Sequence, residues 1–273
     1  MEKRPKTAPE RDDRARAVRA LDRYSEIYDR WVATAPVCAR HAGFYVPLYR
    51  ETEGTVVELG VGNGRLILEA ARAGRAMVGV DLSPAMLALC RARAAEQGVS
   101  ALVELIEGDF RDFSLARPAA LITIPFHSIG HLMTRDDQRA ALRNIRSRLA
   151  PGGRLVLDHF VFDPAYADRM EGVQTLRDAQ PIGGGGTSVL WVASRYRRAE
   201  QTIGVVCSED RADSDGRVTE RRILELGLSW IDPPQMRALL DECGYEVEAS
   251  YGGFDRSPLT EASRTQVWMA RRR

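Results

Sequence analysis

A glycine-rich turn followed by one well-placed carboxylate carries the first chemical signal in this chain. Val57-Glu58-Leu59-Gly60-Val61-Gly62-Asn63-Gly64-Arg65 reads as the end of a short apolar strand, a turn, and the start of a helix. Such a turn lets the backbone approach a ligand closely and presents free amide groups to it. Alone it is weak evidence. Asp81 strengthens it, because it closes the next predicted strand 17 residues after Gly64, where a doubly wound sheet brings a carboxylate to ribose hydroxyls. The dinucleotide fingerprint wants a third glycine three residues after the second, and Arg65 stands there instead. The loop therefore suits pyrophosphate less well than a nucleoside with a charged amino-acid tail.

The second signal is histidine. Pro125-Phe126-His127-Ser128-Ile129-Gly130-His131-Leu132 follows an apolar stretch, and His127 and His131 share a face if the segment is helical. A histidine can take a proton from an amine, a hydroxyl or an activated carbon. The alternative is that one or both only pack or hydrogen-bond. A metal pair is disfavoured, since no glutamate intervenes as in HExxH. His159, after Asp158, adds a polar group at the same rim. Cys38, Cys90, Cys207 and Cys243 form no CxxC pair, so neither a metal site nor a disulfide framework is expected.

The elements that must position these residues follow from periodicity. Residues 1–15, charged and containing Pro5 and Pro9, read as frayed. A helical pattern runs from Ala15 through Val18, Leu21, Tyr24 and Tyr28 and ends at Pro36, with a second short helix over 40–50. Strands are predicted at 55–59, 76–80, 102–107, 119–124 and 154–159, alternating with helices at 65–73, 85–97 and 135–149. Ser83-Pro84 reads as an N-cap with proline in the first turn, and Pro151-Gly152-Gly153 as a helix stop. This alternation means a parallel α/β sheet.

The texture then changes. Residues 187–197, 202–211 and 217–231 alternate with period two across turn-like separators, which predicts a three-stranded antiparallel insertion. The glycine run 183–186 reads as a loop. A helix over 234–243 starts behind Asp232, and strands at 246–251 and 265–271 complete the main sheet. The expected architecture is an α/β, doubly wound, mostly parallel seven-stranded sheet with a helical cap and an antiparallel insertion. Its parts are residues 1–50 (cap), 51–165 (core), 166–231 (insertion and substrate region) and 232–273 (helix and strands completing the sheet).

Composition bounds the function. The 273 residues carry 39 Lys+Arg against 38 Asp+Glu, a formal charge of +1, which argues against a dedicated nucleic-acid binder. No apolar run reaches the ~18–20 residues of a membrane span. The charged N-terminus lacks the apolar stretch of a signal peptide, so a cytoplasmic protein is expected. Only Lys3 and Lys6 are lysine; the remaining basic residues are arginines, whose forked donors suit carboxylates.

Over residues 44–160 the sequence resembles a class I S-adenosylmethionine-dependent methyltransferase of the bacterial small-molecule type. Glu58-Leu59-Gly60-Val61-Gly62-Asn63-Gly64-Arg65 is similar to the E/D-hydrophobic-G-x-G-x-G motif, and Val78-Gly79-Val80-Asp81-Leu82-Ser83-Pro84-Ala85-Met86-Leu87 to the second motif. Glu107-Gly108-Asp109-Phe110 resembles the third, and Leu149-Ala150-Pro151-Gly152-Gly153 the turn before strand five. The resemblance implies a Rossmann-like sheet and S-adenosyl-L-methionine as cofactor, leaving S-adenosyl-L-homocysteine. It puts amides around Gly60, Gly62 and Gly64 on the methionine part, Glu58 near its amine and Arg65 near its carboxylate. Asp81 would accept from the ribose hydroxyls, and Leu82 and Met86 would sandwich the adenine. Asp109, beside Phe110, either accepts from the adenine amino group or caps a turn with Arg111. No metal is implied.

The same resemblance puts Phe126, His127, His131 and His159 at the reaction centre and makes the helix with Tyr24, Tyr28 and Trp31 a cap over cofactor and acceptor. A small-molecule acceptor methylated on nitrogen, oxygen or carbon is the expected partner, with a homodimer left open and no nucleic acid or membrane. Asp232-Pro233-Pro234-Gln235 comes too late in the chain to be an amino-methyltransferase motif and reads as a helix start. Two other classes remain at this stage: an S-adenosylmethionine-binding cyclase or regulatory protein on the same fold, and a nicotinamide oxidoreductase.

Overall fold

Every predicted strand of the core falls into one sheet. The computed structural model describes residues 8–35 and 38–273. Three helices come first, α1 (Ala8–Tyr24), α2 (Tyr28–Ala33) and α3 (Cys38–Glu51). The core follows as β1 (Val56–Leu59), α4 (Ile67–Arg72), β2 (Met77–Asp81), α5 (Pro84–Glu96), β3 (Val103–Glu107), β4 (Ala119–Ile124), α6 (Arg135–Arg148) and β5 (Leu149–Phe160). Then come α7 (Pro164–Met170), β6 (Thr175–Ile182), β7 (Gly186–Arg197), β8 (Thr202–Ala212), β9 (Val218–Ser229), α8 (Pro233–Glu242), β10 (Tyr245–Tyr251) and β11 (Thr265–Arg272).

The seven-stranded sheet runs β10-β11-β5-β4-β1-β2-β3. Its first five strands in the chain are parallel, and β11 lies antiparallel between β5 and β10. The chain starts at the centre with β1, winds out to β3 and returns to β4 beside β1. The connections leave these neighbours in opposite directions, which opens a crevice at their carboxyl ends. Apolar residues explain why they sit centrally: Val57, Leu59, Ile122 and Ile124 are completely buried, as strands covered on both faces require. The helices are capped as the sequence indicates. Ser83 accepts from the Met86 amide at 3.1 Å, Thr134 from the Asp137 amide at 3.1 Å, and Asp232 forms a capping box with Gln235.

Three expectations need correction. Helix α1 begins at Ala8, not Ala15, and takes Pro9 into its first turn, where the missing N–H costs nothing; Pro5 and Pro36 lie outside the described residues. The pattern through Tyr28 is not one helix. A turn at residues 25–27 divides it, so Tyr24 ends α1 and Tyr28 opens α2. The insertion has four strands, in the order β6-β7-β8-β9. Pro181 makes 175–182 read poorly as a strand, yet β6 is an edge strand, where proline's missing N–H is tolerated.

The cap is tied to both neighbours. Asp22 accepts from the Ser83 hydroxyl at 2.5 Å and the Ala85 amide at 3.2 Å, and Asp29 accepts from Asn63 at 2.7 Å and pairs with Arg93. On the insertion side, Arg30 donates to Asp178 at 2.6 Å, Glu209 at 2.9 Å and the Ser188 hydroxyl at 2.8 Å. Between these ties Tyr24, Ile27, Met86, Leu190, Cys207 and Trp230 form one apolar cluster. Removing Arg30 leaves two mostly buried carboxylates without their cation. Arg30→Ala is therefore expected to cost about 2–4 kcal/mol in urea denaturation. Adding Glu209→Gln should recover part of that loss, whereas strict additivity of the two changes would contradict the coupling.

Candidate active site

The carboxyl end of the sheet carries a row of buried acids, and α3 measures out their partners. His41, Tyr45 and Tyr49 repeat every four residues and so share one helix face. The Tyr49 hydroxyl donates to Glu58 at 2.9 Å and stands 2.9 Å from the Thr123 hydroxyl; the Tyr45 hydroxyl donates to Asp158 at 2.7 Å. Burial pushes the Glu58 carboxyl up to about 7, although Tyr49 and Arg65 pull the other way. Sequence reasoning missed this helix face and Asp158. The fourfold spacing of His41, Tyr45 and Tyr49 was the available signal.

The glycine turn is shaped by its neighbours. Gly60 has φ +69°, and a Cβ there would meet the Ser128 side chain at 2.8 Å; Gly64 has φ +86°, and its Cβ would meet the Cys90 sulfur at 2.5 Å. Neither place tolerates a side chain. Asp81 accepts from the Gly62 amide at 2.8 Å and the Ser83 amide at 2.9 Å, which joins the loops after β1 and β2. The Tyr28 hydroxyl lies over Gly62, 3.7 Å from where a Cβ would stand. Met86 is buried beside Tyr24 and Ile27, while Leu82 and Phe110 are half-buried. Asp109 is paired with Arg111. It accepts from the Arg111 amide and Nε, each at 2.9 Å, and from Nη2 at 2.6 Å. Burial raises this carboxyl, but Arg111 outweighs it and holds the group below the usual carboxylate range.

Arg65 reaches away from the turn toward α3. It donates to the Cys38 carbonyl at 3.1 Å and stands 2.8 Å from His41 Nδ1. Burial, with Arg65 adding to it, pushes His41 down to about 4. The imidazole is therefore neutral, accepts at Nδ1, and turns Nε2 toward Asp158 at 3.9 Å. Arg65 Nε and Asn63 Oδ1 are buried without hydrogen-bond partners. Such orphaned groups fit a ligand that brings its own carboxylate and ammonium.

At the far side of the crevice Phe126 and His127 both adopt positive φ, 56° and 60°. Two consecutive left-handed non-glycine residues are strained. Asp158 holds them there: it accepts from the Phe126 amide at 2.9 Å and the His127 amide at 3.3 Å, and its Oδ2 stands 3.2 Å from His127 Nδ1. Burial works against the Asp158 charge, but His127, His41 and Tyr45 together bring the carboxyl down to about 2. The segment after His127 is a short 3-10 helix, Ser128–His131. Its threefold repeat separates positions four apart, so His131 leaves the His127 face and is exposed. His159 is fully buried behind the turn, its ring centroid 6.0 Å from that of His127. Burial and the neighbouring His127 lower it to about 3, which keeps it neutral.

Residues 56–153 match the family described as methyltransferase domain. The chain is an S-adenosylmethionine-dependent methyltransferase. The cypemycin N-terminal methyltransferase of Streptomyces sp is 27% identical over 232 residues, 82% of this chain and 85% of that protein. The dTDP-4-amino-2,3,4,6-tetradeoxy-D-glucose N,N-dimethyltransferase of Saccharopolyspora spinosa is 33% identical over 150 residues, 53% of this chain and 57% of that protein. The CcbJ methyltransferase of Streptomyces caelestis shares the fold, with a TM-score of 0.76, 24% identity and coverage of 93% and 97% of the two chains. Among the described residues no helix of this methyltransferase is long and apolar enough to cross a membrane, and no group of three acid, histidine or cysteine side chains could hold a metal.

Glu58 gives a prediction with a definite sign. Its folded-state value near 7 lies above the ordinary 4.5. Ionisation in the cofactor-free protein therefore costs stability, which is intact below the unfolded value and lost as pH rises toward 7. Glu58→Gln should stabilise the cofactor-free enzyme at pH 8 by about 3 kcal/mol, shrinking toward zero near pH 5. Urea titrations at both pH values check this; a variant equally destabilised at both would contradict it.

Proposed function

We propose that this methyltransferase acts on an amine nitrogen of a small metabolite, with His127 removing the acceptor's proton and Asp158 positioning His127. The observation that carries the reading is the 3.2 Å approach of His127 Nδ1 to a buried carboxylate that also accepts from the backbone of the same turn. The relatives support the target atom by name: one methylates the N-terminus of cypemycin, the other the amino group of a dTDP-sugar.

Each residue then has one task. The amides at Gly60–Gly64 would hold the amino-acid tail, with Arg65 contributing its unpartnered Nε; Glu58 would face the ammonium, Asp81 would accept from the ribose hydroxyls, and Leu82 and Met86 would flank the adenine. Asp109, committed to Arg111, shapes the loop that presents Phe110. S-adenosylmethionine supplies a methyl group already activated on a sulfonium, so no acid is needed to prepare it. The protein's work is on the acceptor. An aliphatic amine arrives protonated at neutral pH and is a nucleophile only once that proton is gone. Facing Asp158 with Nδ1, His127 keeps its proton there and its lone pair on Nε2. The imidazolium that forms on accepting the proton is stabilised by Asp158. Tyr24, Tyr28, Trp31 and Phe126 wall the chamber, aligning the acceptor and excluding water.

His127→Ala should lower kcat by about 10²–10⁴-fold while S-adenosylhomocysteine affinity stays within a few fold. Asp158→Asn should reduce kcat and alter its pH profile, because the imidazolium loses its counter-charge. Rates are measured with a primary-amine acceptor and methyl-labelled cofactor. A His127 variant with the parent rate from pH 6 to 9 would remove the base, and bound cofactor that yields neither methylated amine nor S-adenosylhomocysteine would remove methyl transfer itself.

A further inference from the structure

We propose that Arg177 is the anion-recognising residue of the acceptor chamber, and that the amine methylated here carries a carboxylate or phosphate away from its reacting nitrogen. The inference rests on the amine-methyltransferase reading and deepens it. Its first support is backbone geometry. The β6–β7 register passes from Leu176 opposite Trp191 to Asp178 opposite Leu190, so Arg177 is the extra residue of a β-bulge. A bulge re-aims a side chain that regular alternation would send elsewhere. Here it lays the Arg177 guanidinium over the Trp31 ring of the cap, 4.8 Å from the ring centroid.

The second support is missing neutralisation. Arg177 Nε is buried without a partner, and among the described residues no hydrogen bond or ion pair from the Arg177 side chain occurs. The nearby acids are taken: Asp178 and Glu209 both accept from Arg30. A partly buried cation held without a counter-charge is costly. A planar guanidinium placed this way suits bidentate contact with carboxylate or phosphate.

The third support is location. Trp31 meets Tyr24 edge-on at 5.7 Å, and Tyr24 meets Tyr28 at 5.8 Å, whose hydroxyl lies over Gly62. Burial raises the Cys38 thiol, and the same thiol feels Arg65, Asp158 and Arg177 together. Arg177 is therefore joined through the cap's aromatic rings to the glycine turn after β1. Apolar Leu190, Cys207, Phe162 and Trp230 pack with these rings in one cluster.

The test is binding to the intact protein saturated with S-adenosylhomocysteine, read by calorimetry and by intrinsic tryptophan fluorescence. Two matched pairs serve as probes: N-acetylglycine against N-acetylglycinamide, and thymidine diphosphate against thymidine. The parent should bind the charged member of one pair at least tenfold tighter than its neutral partner, and the pair that responds identifies carboxylate or phosphate. Arg177→Gln should erase that preference and Arg177→Lys restore part of it, with S-adenosylhomocysteine affinity unchanged in both. Absence of any charged-over-neutral preference in the parent overturns the proposal, as does a preference that survives in Arg177→Gln. Failure of the parent to bind S-adenosylhomocysteine would instead remove the methyltransferase reading, so the two failures are distinct.

Discussion

Burying several carboxylates along one rim of a parallel sheet is the constraint around which this molecule is organised. Glu58, Asp81, Asp109 and Asp158 are each almost inaccessible, and an unpaired buried charge is among the costliest features a fold can contain. Each acid therefore commands its own donors. Tyr49 serves Glu58, two backbone amides serve Asp81, Arg111 serves Asp109, and Tyr45 with two amides serves Asp158. Those donors fix the position of α3, the shape of the glycine turn and the strained turn at Phe126 and His127. At Glu58 burial outweighs the donors and pushes the carboxyl up to about 7.

The cap and the insertion pack together beside this rim. Asp22 and Asp29 tie the cap to the loops after β1 and β2, while Arg30 ties it to the antiparallel sheet. One short segment thus touches the loops after β1 and β2 and the antiparallel sheet. Any displacement of the cap disturbs the contacts to both neighbours together, which suits an enzyme that must exclude water before transfer.

The core was legible in the sequence because its signals are local. A β-branched strand, a glycine turn and a carboxylate at the end of the next strand lie within about one motif's length, and the alternation of strands and helices dictates the sheet. The resemblance to known methyltransferases added roles for Glu58, Arg65 and Asp81. What escaped depends on long-range contact. Asp158 follows a run of apolar residues and shows its role only when β5 brings it under the Phe126–His127 turn. The pairing of His127 with His131 failed because the segment is a 3-10 helix, a distinction that four-residue spacing does not make. Edge strand β6 hid behind its proline, and with it the bulge that turns Arg177 inward.

The central claim is that Glu58 waits incompletely ionised and is driven to the carboxylate by the cofactor's ammonium group. Calorimetry of S-adenosylmethionine binding in buffers of different ionisation enthalpy measures this directly as protons exchanged. With Glu58 near 7 in the free enzyme, the account predicts a net fraction of a proton released between pH 6 and 7, fading by pH 8.5. Glu58→Gln should abolish that release and weaken binding. Binding that exchanges no protons across this range, or the same release in Glu58→Gln, would contradict it.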